Sequence, residues 1–171
     1  MPNYRRAWVP GAAWFFTVNL LERRGNDLLV REIELLRRCV ALERSRRPFS
    51  VLAWTVLPDH MHWLWRLPPG DADFATRWRR IRTDFSLGIP RNERRTAARR
   101  RRGERGIWQR RYWEHLIRAP DDLRHHLDYI HYNPVKHGWA STAAAWPHSS
   151  FHACVQRGLY PPDWAEPPIS R

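Results

Sequence analysis

Residues 14–20, WFFTVNL, are rich in aromatic and β-branched residues and carry no charge. They lie between Pro10-Gly11 and a charged stretch, a pattern that predicts a first strand. From 27 to about 45, Leu28, Leu29, Ile33, Leu35, Leu36, Val40 and Leu42 recur near helical spacing among Arg and Glu, which predicts one amphipathic helix ending before Pro48. Residues 49–57 and 60–67 read as two strands joined at Pro58-Asp59, a turn dipeptide, and so as a hairpin. Asp71 and Asp73 are caps for a helix running to about 87, in which Phe74, Trp78, Ile81 and Phe85 repeat every three or four residues. A fourth strand is predicted at 111–118. A last helix is predicted at 121–133, with Leu123, Leu127 and Ile130 on one face and Pro134 stopping it, so that Asn133 reads as its cap.

The order β, α, β, β, α, β, α is that of an α+β, ferredoxin-like antiparallel sheet (βαββαβ) with an extra C-terminal helix. A length of 171 residues suits a single domain, 1–171. Within it, 91–106 has no apolar face and reads as a basic, arginine-rich segment, either a mobile loop or a frayed helix extension, and 140–171 as an irregular, turn-rich tail wrapping the body.

Charge narrows the partners. The formal net charge is +13, yet 43% of the residues are hydrophobic and eleven are tryptophan, so the excess belongs to a folded body that meets polyanions: nucleic acid, an anionic membrane surface or an acidic protein. Of thirty basic residues only Lys136 is lysine, a bias that explains arginine over lysine but not positive over negative. About half of the tryptophans are expected in the core. Cys39 and Cys154 make neither a CxxC pair nor a disulfide framework, and the apolar run at 12–21 is too short to span a bilayer, which fits a soluble, cytoplasmic protein.

Candidate chemistry starts at DHMHWLW. A strand has a side-chain period of two, so His60 and His62 share one face while Met61, Trp63 and Trp65 take the other. Same-face neighbours sit roughly 6.5 to 7 Å apart by the strand rise, a gap that two ring nitrogens can close onto one ion at about 2 Å each. Isolated H-x-H pairs also occur as plain polar surface residues. On the last helix Tyr129 and Asn133 are i and i+4 on a face opposite the leucine stripe, read as lying outside the core. They place a hydroxyl nucleophile beside a hard amide oxygen. Tyr132, three residues on, lacks the i, i+4 relation to Asn133.

Four stretches, LPDHMHWLW, IWQRRYWEHLIR, DYIHYNPVKHGW and the opening YRRAWVPGAAWFFTVNL, followed by GLYPPDW, resemble in their order the REP-associated tyrosine transposases, relatives of the single-tyrosine HUH transposases. The likeness runs from Tyr4 to about Trp164. It implies that His60, Met61 and His62 are the His-hydrophobic-His motif, that Tyr129 is the nucleophile, and that Asn133 is the third ligand of a divalent ion, Mg²⁺ or Mn²⁺. It further implies cleavage and rejoining of single-stranded DNA at REP-type hairpins through a 5′-phosphotyrosyl intermediate, by a nucleoid-associated protein acting as a monomer. Lys136, Arg5, Arg6, Arg99, Arg100, Arg101 and Arg102 are candidate DNA contacts, and His125, His126, His131, Glu114 and His115 are lesser candidates for assisting chemistry. A non-catalytic DNA-hairpin-binding protein of the same fold is the alternative. An HUH replication initiator or relaxase would ordinarily be larger.

Overall fold

The computed structural model describes residues 7–93 and 95–165. Strands β1 (Ala13–Asn19), β2 (Ser50–Val56), β3 (His60–Arg66) and β4 (Trp113–Leu116) form one antiparallel sheet in the order β2-β3-β1-β4, the ferredoxin-like arrangement. The hairpin at Pro58-Asp59 closes with Leu57 N–H donating to the His60 carbonyl at 2.8 Å.

Alternation along β1 and β3 sorts the side chains onto two faces. Trp14, Phe16 and Val18, with Met61, Trp63 and Trp65, face helices α2 (Ile33–Arg46) and α3 (Phe74–Gly88) in the main core. Trp65 stacks on Trp78 there with ring centroids 4.2 Å apart. Phe15, Ala53 and Leu64 point the other way and pack beneath α5 (Pro120–Lys136) with Ile130. Six of the eleven tryptophans (14, 63, 65, 78, 108 and 146) are buried, which matches the expectation of about half.

The first predicted helix is interrupted at Glu32, giving α1 (Leu28–Arg31) and then α2. The first turn is tied to the hairpin by Leu29 N–H donating to the Pro58 carbonyl (3.2 Å), while α2 runs along the sheet. On α3, Asp73 accepts from Thr76 N–H at 2.9 Å, and Asp71 instead receives the buried Arg77 guanidinium (Nη2 to Oδ2 2.6 Å).

Three expectations change. The arginine-rich segment is a loop only in part, with a short stretch of the helical alternative: Thr96 caps helix α4 (Ala97–Arg101), and Arg105 pins the segment by its ion pair with Glu93 (Nε to Oε1 2.7 Å) and by donation to the carbonyls of Ser86, Ile89 (3.1 Å) and Pro90 (2.7 Å). Interior polar anchoring of one arginine replaces the missing apolar face.

The tail is not wholly irregular either. A 3₁₀ turn (Ala143–Ala145) and α6 (Phe151–Gln156) gather Ala143, Phe151, Cys154 and Tyr160 into a small core, tied to the body by Trp54 N–H donating to Ser150 Oγ (2.8 Å), Trp146 Nε1–H to the Val56 carbonyl (3.0 Å) and Tyr160 O–H to Asp128 (2.6 Å).

Helix α5 continues through Pro134 to Lys136, so Asn133 is an interior residue and not the cap. Pro134 removes one donor near the end of the helix, but the Asn133 and Pro134 carbonyls still receive N–H groups from His137 (3.1 Å) and Trp139 (2.9 Å), and the last turn survives the loss.

Candidate active site

His60 and His62 emerge from β3 on the face covered by α5, both buried, with ring centroids 5.0 Å apart. Each ring has one nitrogen engaged from behind. His62 Nδ1 lies 2.9 Å from Thr17 Oγ1, its register partner on β1, and His60 Nδ1 lies 2.6 Å from Asp59 Oδ1. With Nδ1–H donating in both cases, each Nε2 keeps a free lone pair, the tautomer a metal-ligating imidazole needs. Asp59 is held in turn by Arg23 (Nε to Oδ2 2.6 Å).

Helix α5 brings Tyr129 over this pair. Its ring is 5.2 Å from that of His62 and 5.8 Å from that of Phe15, and Asn133, one turn on, is buried. The face expected outside the core thus lies against the sheet, because α5 is laid flat on it, burying Ile130 and Asn133 and half-burying Leu123, Leu127 and Tyr129. Tyr132 turns away, to within 6.3 Å of the Trp164 ring in the tail.

Three buried polar atoms on this face make no well-formed hydrogen bond, His62 Nε2, Asn133 Oδ1 and Asn133 Nδ2, although Asn133 lies close enough to His62 to oppose the lowering of its pKa. Native proteins rarely leave such groups unsatisfied, and an imidazole nitrogen and an amide oxygen beside a second imidazole are a donor set suited to a divalent ion. The residues therefore fit a metal held by His60, His62 and Asn133.

Electrostatics agree with neutral ligands. Burial, with His60 and His137 nearby, holds His62 well below the usual histidine range, and burial lowers His60 against the opposing pull of Asp59. For Asp59, burial is outweighed by hydrogen bonds from His60 and Arg23, which keep the carboxyl below its ordinary value.

Lys136 is exposed, its Nζ 5.3 Å from the Tyr129 ring centroid. A cleft of about 500 Å³ opens beside His60, lined by Arg23, Asn26, Asp59, His137 and the exposed Trp139. A larger cleft, about 820 Å³, lies between α1 and the segment after α3 and includes none of the predicted site residues.

Of the lesser candidates, His131 is buried in the tail interface, its Nε2 2.9 Å from Ser150 Oγ and its pKa pushed down by burial to about 4. His115 and His126 instead converge on Asp122, a group of three that could hold a metal. Glu114 is buried on β4. Arg99, Arg100 and Arg101 are on α4 and Arg102 at its end, with Arg100 to Arg102 exposed, while Arg5 and Arg6 lie outside the described residues.

Asp59, Arg23, Thr17 and Trp139 are additions that sequence reasoning missed. Only Asp59, directly before His60, carried a usable signal. Among the described residues no helix is long and apolar enough to cross a membrane.

No family model matches the chain. It is 48% identical over 165 residues to the REP-associated tyrosine transposase of Escherichia coli K12, covering 96% of this chain and 92% of that protein. A Haemophilus influenzae relative bearing the same family name is 43% identical over 169 residues, 98% of this chain and 96% of the relative. The fold matches the solved structure of a REP-associated tyrosine transposase bound to a REP hairpin with a TM-score of 0.85 at 46% identity, over all of this chain and 95% of the other.

Proposed function

The chain belongs to the REP-associated tyrosine transposases, and from that premise we propose that it cuts and rejoins single-stranded DNA at REP-type hairpins with Tyr129 as the nucleophile. The observation that carries this reading is the meeting of Tyr129 with the His60–His62 pair over buried polar atoms that make no well-formed hydrogen bond.

His60, His62 and Asn133 would hold Mg²⁺ or Mn²⁺, which when bound supplies polarisation of the scissile phosphate and offsets charge developing on its oxygens. Tyr129 Oη attacks phosphorus as the P–O3′ bond breaks, so the product is a 5′-phosphotyrosyl enzyme and a free 3′-hydroxyl. A phenol ordinarily ionises near pH 10, so its proton has to leave as the bond forms, and the departing 3′ oxygen takes one up. The phosphodiester energy is kept in the tyrosyl bond, and a second 3′-hydroxyl can reverse the step without ATP. Lys136, beside the Tyr129 ring, would meet the phosphate, and the exposed Trp139 would stack on an unpaired base. The exposed arginines of α4 add affinity for the backbone that is indifferent to sequence. Residues 1–171 act as a single domain in this reading.

Hairpin oligonucleotides labelled at either end test it, incubated with and without Mn²⁺ with wild type and His62→Ala. Mn²⁺-dependent cleavage that disappears in the variant, with hairpin affinity retained, is the expected result. Tight binding by both proteins and cleavage by neither would make this a hairpin-binding protein that keeps only the fold.

A further inference from the structure

On the same face of the sheet, but across the Phe15 ring from His62, a second group of ligands converges. His115 comes from β4, and Asp122 and His126 from the first two turns of α5. His115 Nε2 lies 3.0 Å from both Asp122 carboxylate oxygens, and His126 Nδ1 lies 3.1 Å from Oδ1. One ligand atom from each residue fits within 4.8 Å of the others. Two imidazoles and a carboxylate around a tetrahedral ion with bonds of about 2.0–2.1 Å have ligand atoms roughly 3.3 Å apart, close to the 3.0 and 3.1 Å found here, and both rings would turn from the Asp122 oxygens they now face to admit one.

The side chains are accessible without being loose: His115 is 36% exposed, Asp122 20% and His126 15%. The two imidazoles stack at 4.6 Å with their planes 16° apart, and Phe15 supports His126 at 4.6 Å. Arg118 N–H donates to Asp122 Oδ2 at 3.0 Å, fixing the carboxylate. His126 Nδ1 also lies 2.8 Å from the Asp122 backbone carbonyl. In the metal-free protein that nitrogen therefore carries its proton, which would move to Nε2 when an ion takes the lone pair.

We propose that His115, Asp122 and His126 form a second divalent-metal site, selective for borderline ions such as Zn²⁺ and Co²⁺, that ties β4 to the helix bearing Tyr129. Two nitrogen donors and one oxygen on a three-residue open set favour such ions over Mg²⁺. The site is separate from His60, His62 and Asn133, and it requires no DNA. Its failure and that of the Tyr129 chemistry are therefore told apart by experiment.

The test is titration of metal-stripped protein with Co²⁺, followed by visible absorption, in the wild type and in the His60→Ala/His62→Ala, His115→Gln and Asp122→Asn variants. The double variant should keep one Co²⁺ site with tetrahedral-type absorption, which Zn²⁺ displaces. His115→Gln and Asp122→Asn should weaken that site about tenfold or more while melting as the wild type does without metal. In ¹⁵N spectra of the wild type, Zn²⁺ should move the ring signals of His115 and His126, a readout that does not depend on any variant folding. Absence of Co²⁺ and Zn²⁺ binding in the double variant, or unaltered binding in both His115→Gln and Asp122→Asn, would overturn the proposal. So would Zn²⁺ shifts confined to His60 and His62.

Discussion

Replacing Asp59 by Asn isolates the contact that, in the proposed mechanism, readies His60 for a metal. The side chain keeps its size and an acceptor oxygen, but loses the charge that draws the His60 Nδ1 proton along a 2.6 Å contact. That bond fixes the tautomer leaving Nε2 as the lone-pair nitrogen, and it is shielded: His60 is 5% and Asp59 17% exposed at the side chain. Carboxylates behind metal-bound histidines commonly account for about 10–100-fold in metal affinity, or about 1.4–2.7 kcal/mol. The short contact and low exposure argue for the upper half of that range. Arg23, which loses its partner, is 45% exposed, so its release costs little stability. Mn²⁺ binding measured by the electron paramagnetic resonance signal of the free ion should show a dissociation constant raised by about 30–100-fold. The melting temperature without metal and the affinity for hairpin DNA should change little. Mn²⁺ affinity within about threefold of wild type would refute the idea that Asp59 orients His60 for a metal.

Arg77→Met should destabilise the fold by about 3 kcal/mol in urea denaturation, since Asp71 and the carbonyls of Arg47, Pro48 and Asp73 all lose their donor; the low end of the range for buried pairs applies because Asp71 is 32% exposed. Glu93, held down to about 2 chiefly by its hydrogen bonds from Arg105, has a folded pKa below its unfolded one. Its contribution is therefore complete above about pH 4.5 and lost as pH falls toward 2. Glu93→Gln should accordingly melt below wild type at pH 7, with the gap closing across that window. Replacing Arg100, Arg101 and Arg102 by Ser should lower the slope of log affinity for hairpin DNA against log salt by about 0.7–0.9 for each arginine in phosphate contact, with cleavage of bound DNA unchanged.

The sheet and the two faces of β3 were legible in the sequence because alternation is a local property: DHMHWLW states which residues go with which core. Tyr129 and Asn133 were legible as a pair for the same reason, from the 3.6-residue period. What could not be read was how α5 lies. Its apolar stripe told of one buried edge, while the burial of Asn133 depends on a partly polar edge being pressed against imidazoles from a strand some seventy residues earlier. Pro134 misled for a related reason. A proline near the end of a helix removes a single donor, and the carbonyls downstream kept their partners. The tail core and the anchoring of Arg105 were hidden because they rest on scattered contacts between distant residues, Tyr160 to Asp128 and Trp54 to Ser150 for the tail and Arg105 to Glu93 and nearby carbonyls for the loop, with no periodicity to announce them.

Whether Tyr129 forms the covalent bond to DNA can be read from tandem mass spectrometry of the peptide cross-linked to hairpin DNA in Mn²⁺. A phosphotyrosyl linkage on Tyr129 carrying the DNA segment 3′ of the cut, absent from Tyr129→Phe and present in Tyr132→Phe, is the expected result. A linkage on Tyr132, or cleavage by Tyr129→Phe at the wild-type rate, would contradict it.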